Sequence, residues 1–222
     1  MGTRVGKGIE RPKFRFPRKQ ETARIRVLSD YERDEIIRLF RDRFDDFAKR
    51  NSSDGFPAGP SWSAYFAFLM DTGLRPSEAR ALRAADRYGD RLRVWKTKSG
   101  KPRILPLTPR AEEAFERQAL RCENSLDEPF CWATKDRVSW VWKWLRRSMG
   151  HDDDPEFIPY ILRHDCATRL YAKTSDLLLV KEWMGHSSIE MTLRYAKLDP
   201  GRLAEARDLL AGAADRRHVR PV

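Results

Sequence analysis

Four short segments, far apart along the chain, hold the residues best suited to chemistry. They are Thr72-Gly73-Leu74-Arg75-Pro76-Ser77-Glu78, the turn Lys98-Ser99-Gly100-Lys101, Leu162-Arg163-His164, and Met184-Gly185-His186-Ser187-Ser188 with Tyr195 beyond. Guanidinium groups grip oxyanions through forked, charge-assisted hydrogen bonds, and a phenol becomes a nucleophile once its proton is removed. Taken singly, each segment has an ordinary structural explanation. Arg75 can pair with Glu78 on a surface, a lysine at a hairpin tip is usually solvated, and His186 can cap a helix that ends at Gly185. A lone tyrosine on a helix is most often half-buried packing.

The elements that must position these residues read as a mainly α chain with one small antiparallel β-sheet, an α+β class. Ser29 and Glu32 form a capping box, after which Ile36, Ile37, Phe40, Phe44 and Phe47 recur at helical spacing to about Lys49. Ser61 opens an apolar helix that stops at Thr72-Gly73, and Arg75-Pro76 starts a short one ending around Ala84, with proline suited to the first helical position. Arg91–Thr97 and Arg103–Leu107 read as strands joined through the lysine turn. Thr108 caps a helix to about Arg121. Asp136–Met149 is another, with its tryptophans read as core rather than as stacking platforms. Helices over about Ile161–Ala172 and from Asp176 to Met184 follow. Ser187 and Glu190 form a second capping box for the helix that carries Tyr195, and Gly201–Leu210 is a terminal helix. Residues 1–26 read as a basic arm or linker, 27–212 as the folded domain and 213–222 as a tail.

Composition narrows the partners. The chain has 222 residues, enough for one well-buried domain, and its seven Trp and eleven Phe argue for a packed core over disorder. Its net charge of +11 points to a polyanion, and nine basic against two acidic residues place +7 of it within residues 1–26. No apolar run approaches the ~20 residues of a membrane span. The basic start has no apolar stretch behind it, so no secretion signal is read and a cytoplasmic location is expected. Cys122, Cys131 and Cys166 are an odd set without C-x-x-C spacing and read as reduced, largely buried thiols rather than a disulfide or zinc framework.

Together and in this order, the four segments resemble the tyrosine recombinase family, the phage-integrase-like site-specific DNA recombinases. The motifs are T-G-L-R-x-S-E, a lysine in K-S-G-K before I-L-P-L, L-R-H opening a helix, and G-H-S-S followed nine residues after its histidine by Tyr195. The resemblance spans about Val27 to Leu210. It implies a DNA strand transferase that breaks and rejoins strands through a 3′-phosphotyrosyl intermediate, on double-stranded DNA, as a tetramer. Arg75 and Arg163 match the family's arginine pair, Tyr195 its nucleophile, and Lys98 its general acid, with Lys101 and then Lys96 as competitors. His186 matches a residue that bonds the phosphate or packs on the tyrosine, and Glu78 an acidic residue bracing the site from behind. The chemistry is consistent with that set. Transesterification loads negative charge onto the non-bridging oxygens, which two permanently charged forks can meet, and a phenol of pKa ~10 needs a positive field or a base. The phosphotyrosyl link conserves the bond energy, so neither ATP nor a metal or other cofactor is expected.

Two departures from the family pattern stand out. Position 160, where the family's His-x-x-Arg motif carries histidine, is Tyr160, a poor base at neutral pH. His164, about 100° round the helix from Arg163, is not expected to stand in for it. The family's N-terminal clamp domain is also replaced by the basic arm alone, which reads as a truncated or minimal form. The alternative function is a non-catalytic DNA-binding relative that keeps the fold.

Overall fold

A computed structural model of the chain describes residues 26–45, 60–95, 102–124 and 126–196. The first helix, α1 (Asp30–Phe40), has the expected capping box: the Ser29 hydroxyl accepts from the Glu32 N–H, and the Glu32 carboxylate accepts from the Ser29 N–H at 2.8 Å. It buries Ile36, Ile37 and Phe40 and runs into a π-helical turn, Arg41–Asp45. Phe47 and Lys49 lie outside the described residues, as do residues 1–25 of the basic arm, the lysine turn and the terminal helix read at Gly201–Leu210; Arg26, the last residue of the arm, is described and pairs with Glu32 and Asp154.

The buried centre is α2 (Trp62–Thr72), ten of whose eleven residues are buried. Its uniform apolarity is what a helix enclosed on all sides requires. Ser61 caps it, and the Asp45 carboxylate accepts from the Ser61 hydroxyl (2.6 Å) and the Trp62 N–H (3.0 Å), setting a negative charge at the positive end of the helix. Gly73 ends it in the left-handed region at φ 65°.

The short α3 (Pro76–Arg80) stops at Arg80, earlier than the expected Ala84, because a 3₁₀ turn (Ala84–Asp86) takes the chain into the sheet. The sheet has three antiparallel strands, β1 (Arg87–Tyr88), β2 (Arg91–Val94) and β3 (Arg103–Pro106), in that order. β1 was not expected. It is two residues long, too short for an alternating pattern to register. Leu92 faces Leu105 across the β2–β3 pair, and both are buried.

Helices α4 (Pro109–Ala119) and α5 (Lys135–Ser148) complete the main core with α1 and α2. Of the α5 tryptophans, Trp142 is buried and Trp144 packs on the core, but Trp140 is 66% exposed, contrary to the core reading. It is four residues before Trp144 yet sits at the stripe's edge, where among the described aromatics its ring meets only Phe44, edge-on at 6.1 Å. The cysteine reading is corrected too. Cys166 is buried, Cys122 is intermediate, and Cys131 is exposed in a turn before α5. Helices α6 (Ile161–Thr174), α7 (Leu177–Met184) and α8 (Glu190–Ala196) form a second cluster around Cys166, Ala167, Tyr171, Val180, Met184 and Tyr195. The expected Ser187–Glu190 capping box is absent. Because α8 begins at Glu190, that carboxylate bonds the Ser188 hydroxyl instead, while the Ser187 hydroxyl turns to the Met191 sulfur at 3.6 Å.

Candidate active site

The site forms where the end of α2, the start of α3, strand β3 and helices α6 to α8 meet. Gly73 makes the junction possible. A Cβ there would lie 2.9 Å from the Met184 Sδ and 3.0 Å from the Cys166 Sγ, and its positive φ suits glycine. The Gly73 carbonyl accepts from Arg163 Nη1 at 2.6 Å, and the Met184 carbonyl accepts from Arg163 Nη2 at 2.5 Å. Arg163 therefore ties the ends of α2 and α7 to α6. It is 2% exposed, and its Nε has no hydrogen-bond partner among the described residues.

Three guanidiniums converge on the buried Glu78. Its carboxylate accepts from Arg75 Nη1 at 3.0 Å and from the Arg75 N–H at 3.1 Å. It also accepts from Arg103 Nη2 at 3.0 Å, and Arg163 Nη1 stands 4.0 Å away. Burial pushes the Glu78 carboxyl up, but the Arg103 hydrogen bond and charge, the Arg75 N–H and the Arg163 charge outweigh it. They hold it below the usual carboxylate range. One carboxylate against three guanidiniums leaves a local excess of positive charge, as anion binding requires. For Arg163, burial and then the Arg75 charge work against the protonated form. A guanidinium nevertheless stays charged at any ordinary pH.

The other half of the site is aromatic. Tyr195, on α8, is 2% exposed, and its hydroxyl lies 3.0 Å from Nδ1 of His164. Burial raises the phenol to about 12 despite the opposing pull of Arg163. The His186 ring is parallel to the Tyr195 ring at 6.4 Å, and its Nδ1 is 2.9 Å from the Thr192 hydroxyl. Gly185, at φ 64°, aims the chain there; a Cβ on it would meet Arg103 Nη1 at 2.7 Å. Tyr160 stands edge-on to His164 with ring centres 4.8 Å apart. Burial, followed by the charges of Arg194 and Arg163, lowers His164 to about 4. Burial, followed by Arg163 and Arg75, does the same for His186. Both rings are neutral at pH 7.

Arg75, Glu78 and Arg163 are thus brought together as read from the sequence, and Tyr160, His186 and Tyr195 gather beside them within reach of the Arg163 and Arg75 charges. Lys98 lies outside the described residues, with Lys96 and Lys101. Two residues were missed. Arg103 points inward on the same face as the buried Leu105 two positions on, and a charge at an inward strand position was the available signal. His164 was set aside by its angle from Arg163, but it follows Tyr160 by four residues, one helical turn, and so shares the face that Tyr195 packs against.

Beside Arg75 and Tyr160 opens a groove of about 790 Å³. It is lined by Val138, Trp142 and Ile158 together with the basic side chains of Arg80, Lys135, Lys143 and Arg146. Arg80, Lys135 and Lys143 have no ion-pair partner among the described residues.

This helical domain with a three-stranded sheet has the fold of tyrosine recombinase catalytic domains. The catalytic domain of bacteriophage HP1 integrase superposes with a TM-score of 0.57 at 22% identity, covering 83% of this chain and 95% of that one. XerA recombinase gives 0.58 at 20% identity, over 93% and 68%. The chain matches the Phage integrase family over residues 47–202, and it belongs to that family. Among curated relatives, tyrosine recombinase XerC of Rhizobium meliloti (strain 1021) is 32% identical over 66% of this chain and 48% of its own length. XerC of Chromohalobacter salexigens is 33% identical over 74% and 57%. The chain spans about half the length of the curated relatives it matches.

Proposed function

We propose that the chain is a site-specific DNA recombinase or integrase that cuts and rejoins strands through a 3′-phosphotyrosyl link. The observation that carries this reading is the cluster of Arg75, Arg103 and Arg163 on one carboxylate, with the Tyr195 phenol beside it. In this account Arg75 and Arg163 hold the scissile phosphate, and the unpaired Arg163 Nε is one donor for it. Tyr195 attacks phosphorus, and Lys98 protonates the departing 5′-oxygen. His186 packs on Tyr195 and supports the phosphate, while Glu78 fixes the guanidiniums. Tyr160, which also lines the groove, donates a hydrogen bond to a phosphate oxygen. The basic side chains of Arg80, Lys135 and Lys143 follow the duplex backbone, with the arm at residues 1–26 adding phosphate contacts. The protein works as a tetramer on paired sites in the cytoplasm, without a cofactor. Among the described residues, no helix is long and apolar enough to cross a membrane.

A second reading, a DNA-binding relative without catalysis, is favoured by one observation: the Tyr195 side chain is only 2% exposed. Covalent capture separates the two. The full chain is incubated with a pool of nicked duplexes carrying randomised arms, and covalent complexes are recovered on a denaturing gel. The expected result is a protein–DNA band that disappears in Tyr195→Phe and in Arg163→Ala. Duplex retention without any covalent band would establish the binder instead.

A further inference from the structure

We propose that His164 accepts the Tyr195 proton as the phenol attacks, supplying the imidazole that position 160 lacks. The inference rests on the recombinase reading above and adds a residue to it. His164 Nδ1 is the partner of the phenol oxygen, at 3.0 Å, within the range for direct proton transfer. The transfer uses the tautomer in which Nδ1 presents its lone pair to the phenol O–H and the ring proton sits on Nε2.

The surroundings hold that geometry. Tyr160 packs edge-on against the His164 ring at 4.8 Å and fixes its plane, so the residue at 160 orients the base without being one. His186 has its Nδ1 committed to Thr192 and offers Tyr195 a ring face at 6.4 Å rather than a hydrogen bond. Among the described residues, the groups facing His164 are Arg163, Arg194, Tyr160, Tyr195 and His186, and none of these is a carboxylate. Burial first, and then the charges of Arg194 and Arg163, keep the ring neutral at rest. A phosphate seated on Arg163 cancels part of that positive field, and the ring gains proton affinity as the phosphoryl oxygens gain charge.

The step balances. The Tyr195 oxygen–phosphorus bond forms as the phosphorus–5′-oxygen bond breaks. The phenol proton passes to His164 Nδ1, and the 5′-oxygen takes a separate proton from the general acid, assigned to Lys98. Rejoining runs in reverse, with imidazolium returning the proton to the tyrosine.

The test uses the full chain and the nicked duplex most strongly captured by the parent protein, under single-turnover conditions. It is made once with the ordinary substrate and once with sulfur in place of the bridging 5′-oxygen, a leaving group that needs no proton. His164→Gln and His164→Ala are each expected to slow covalent complex formation by about 100-fold or more, with duplex affinity within about twofold of the parent. The sulfur substrate is expected to restore Lys98→Ala but neither His164 variant. Parental cleavage by both His164 variants, or their full rescue by sulfur, would overturn the assignment. A parent chain that forms no covalent complex removes the recombinase reading itself, and this proposal falls with it.

Discussion

Glu78 is a single carboxylate with three guanidiniums within 4.0 Å, and its own charge keeps them in one place. Neutralising it leaves Arg75, Arg103 and Arg163 repelling one another in a space where Glu78 and Arg163 are each about 2% exposed. Breaking such a buried arrangement from one side typically costs about 3–5 kcal/mol. Glu78→Gln is therefore expected to lower the unfolding free energy by about 3 kcal/mol in urea titration, and added inorganic phosphate should recover more stability in the variant than in the parent. Equal responses to phosphate in both proteins would mean that the guanidiniums do not form an anion site. Residue types in the sequence pointed to Arg75, Glu78, Arg163 and Tyr195 because each sits in a distinctive local motif. Arg103 has no such motif, and His164 stands in the L-R-H segment without a role that the segment itself assigns. Their roles come from where β3 crosses α3 and where α8 meets α6, contacts separated by 25 and 31 residues.

At the scale of elements, the boundaries that proved readable were those written in a single cap or stop. Ser29, Ser61, Thr108 and Asp176 each accept from the backbone N–H groups they were expected to cap. Gly73 and Gly185 end their helices in the left-handed region. Ser187 failed as a cap because the tight link from Gly185 to Glu190 is shaped by His186 bonding Thr192, a tertiary demand that overrides a local pattern. Gly73 also shows why a stop residue can matter beyond its own helix. Alanine there meets both the backbone strain of φ 65° and the Met184 sulfur at 2.9 Å, together worth about 2–3 kcal/mol. Gly73→Ala should lower the melting temperature by roughly 5–10 °C. It should also weaken covalent capture by shifting the carbonyl that accepts from Arg163. A melting temperature unchanged within about 1 °C would show that the junction yields at no cost.

For the molecule as a whole, pH is the variable that tests the buried histidines. His164 and His186, at about 4, lie below their ordinary 6.5. Above pH 6.5 both rings are neutral whether the chain is folded or not. As pH falls from about 6.5 to about 4, the unfolded chain takes up protons that the folded one refuses, so stability drops; below about 4 these two groups add no further loss. Both rings keep some solvent contact, so roughly 1–2 kcal/mol each is expected rather than the full linkage. Further acidification removes the contributions of Asp71 and Glu78, whose carboxyls are held low by arginines, and acts in the same direction. Urea midpoints at pH 7, 5.5 and 4.2 should decline in that order, and His164→Gln should flatten the upper part of the curve. A midpoint that holds level from pH 7 to 4.2 would contradict the burial of both rings.

The nearly complete enclosure of the Tyr195 side chain has one more result. If Tyr195 attacks DNA as proposed, a hydroxyl 2% exposed between helices α6, α7 and α8 is hard for a strand to reach by chance, which would spare unrelated duplex. An ester on that oxygen would then be shielded from hydrolytic water by the same walls, and the severed end would be held for its partner.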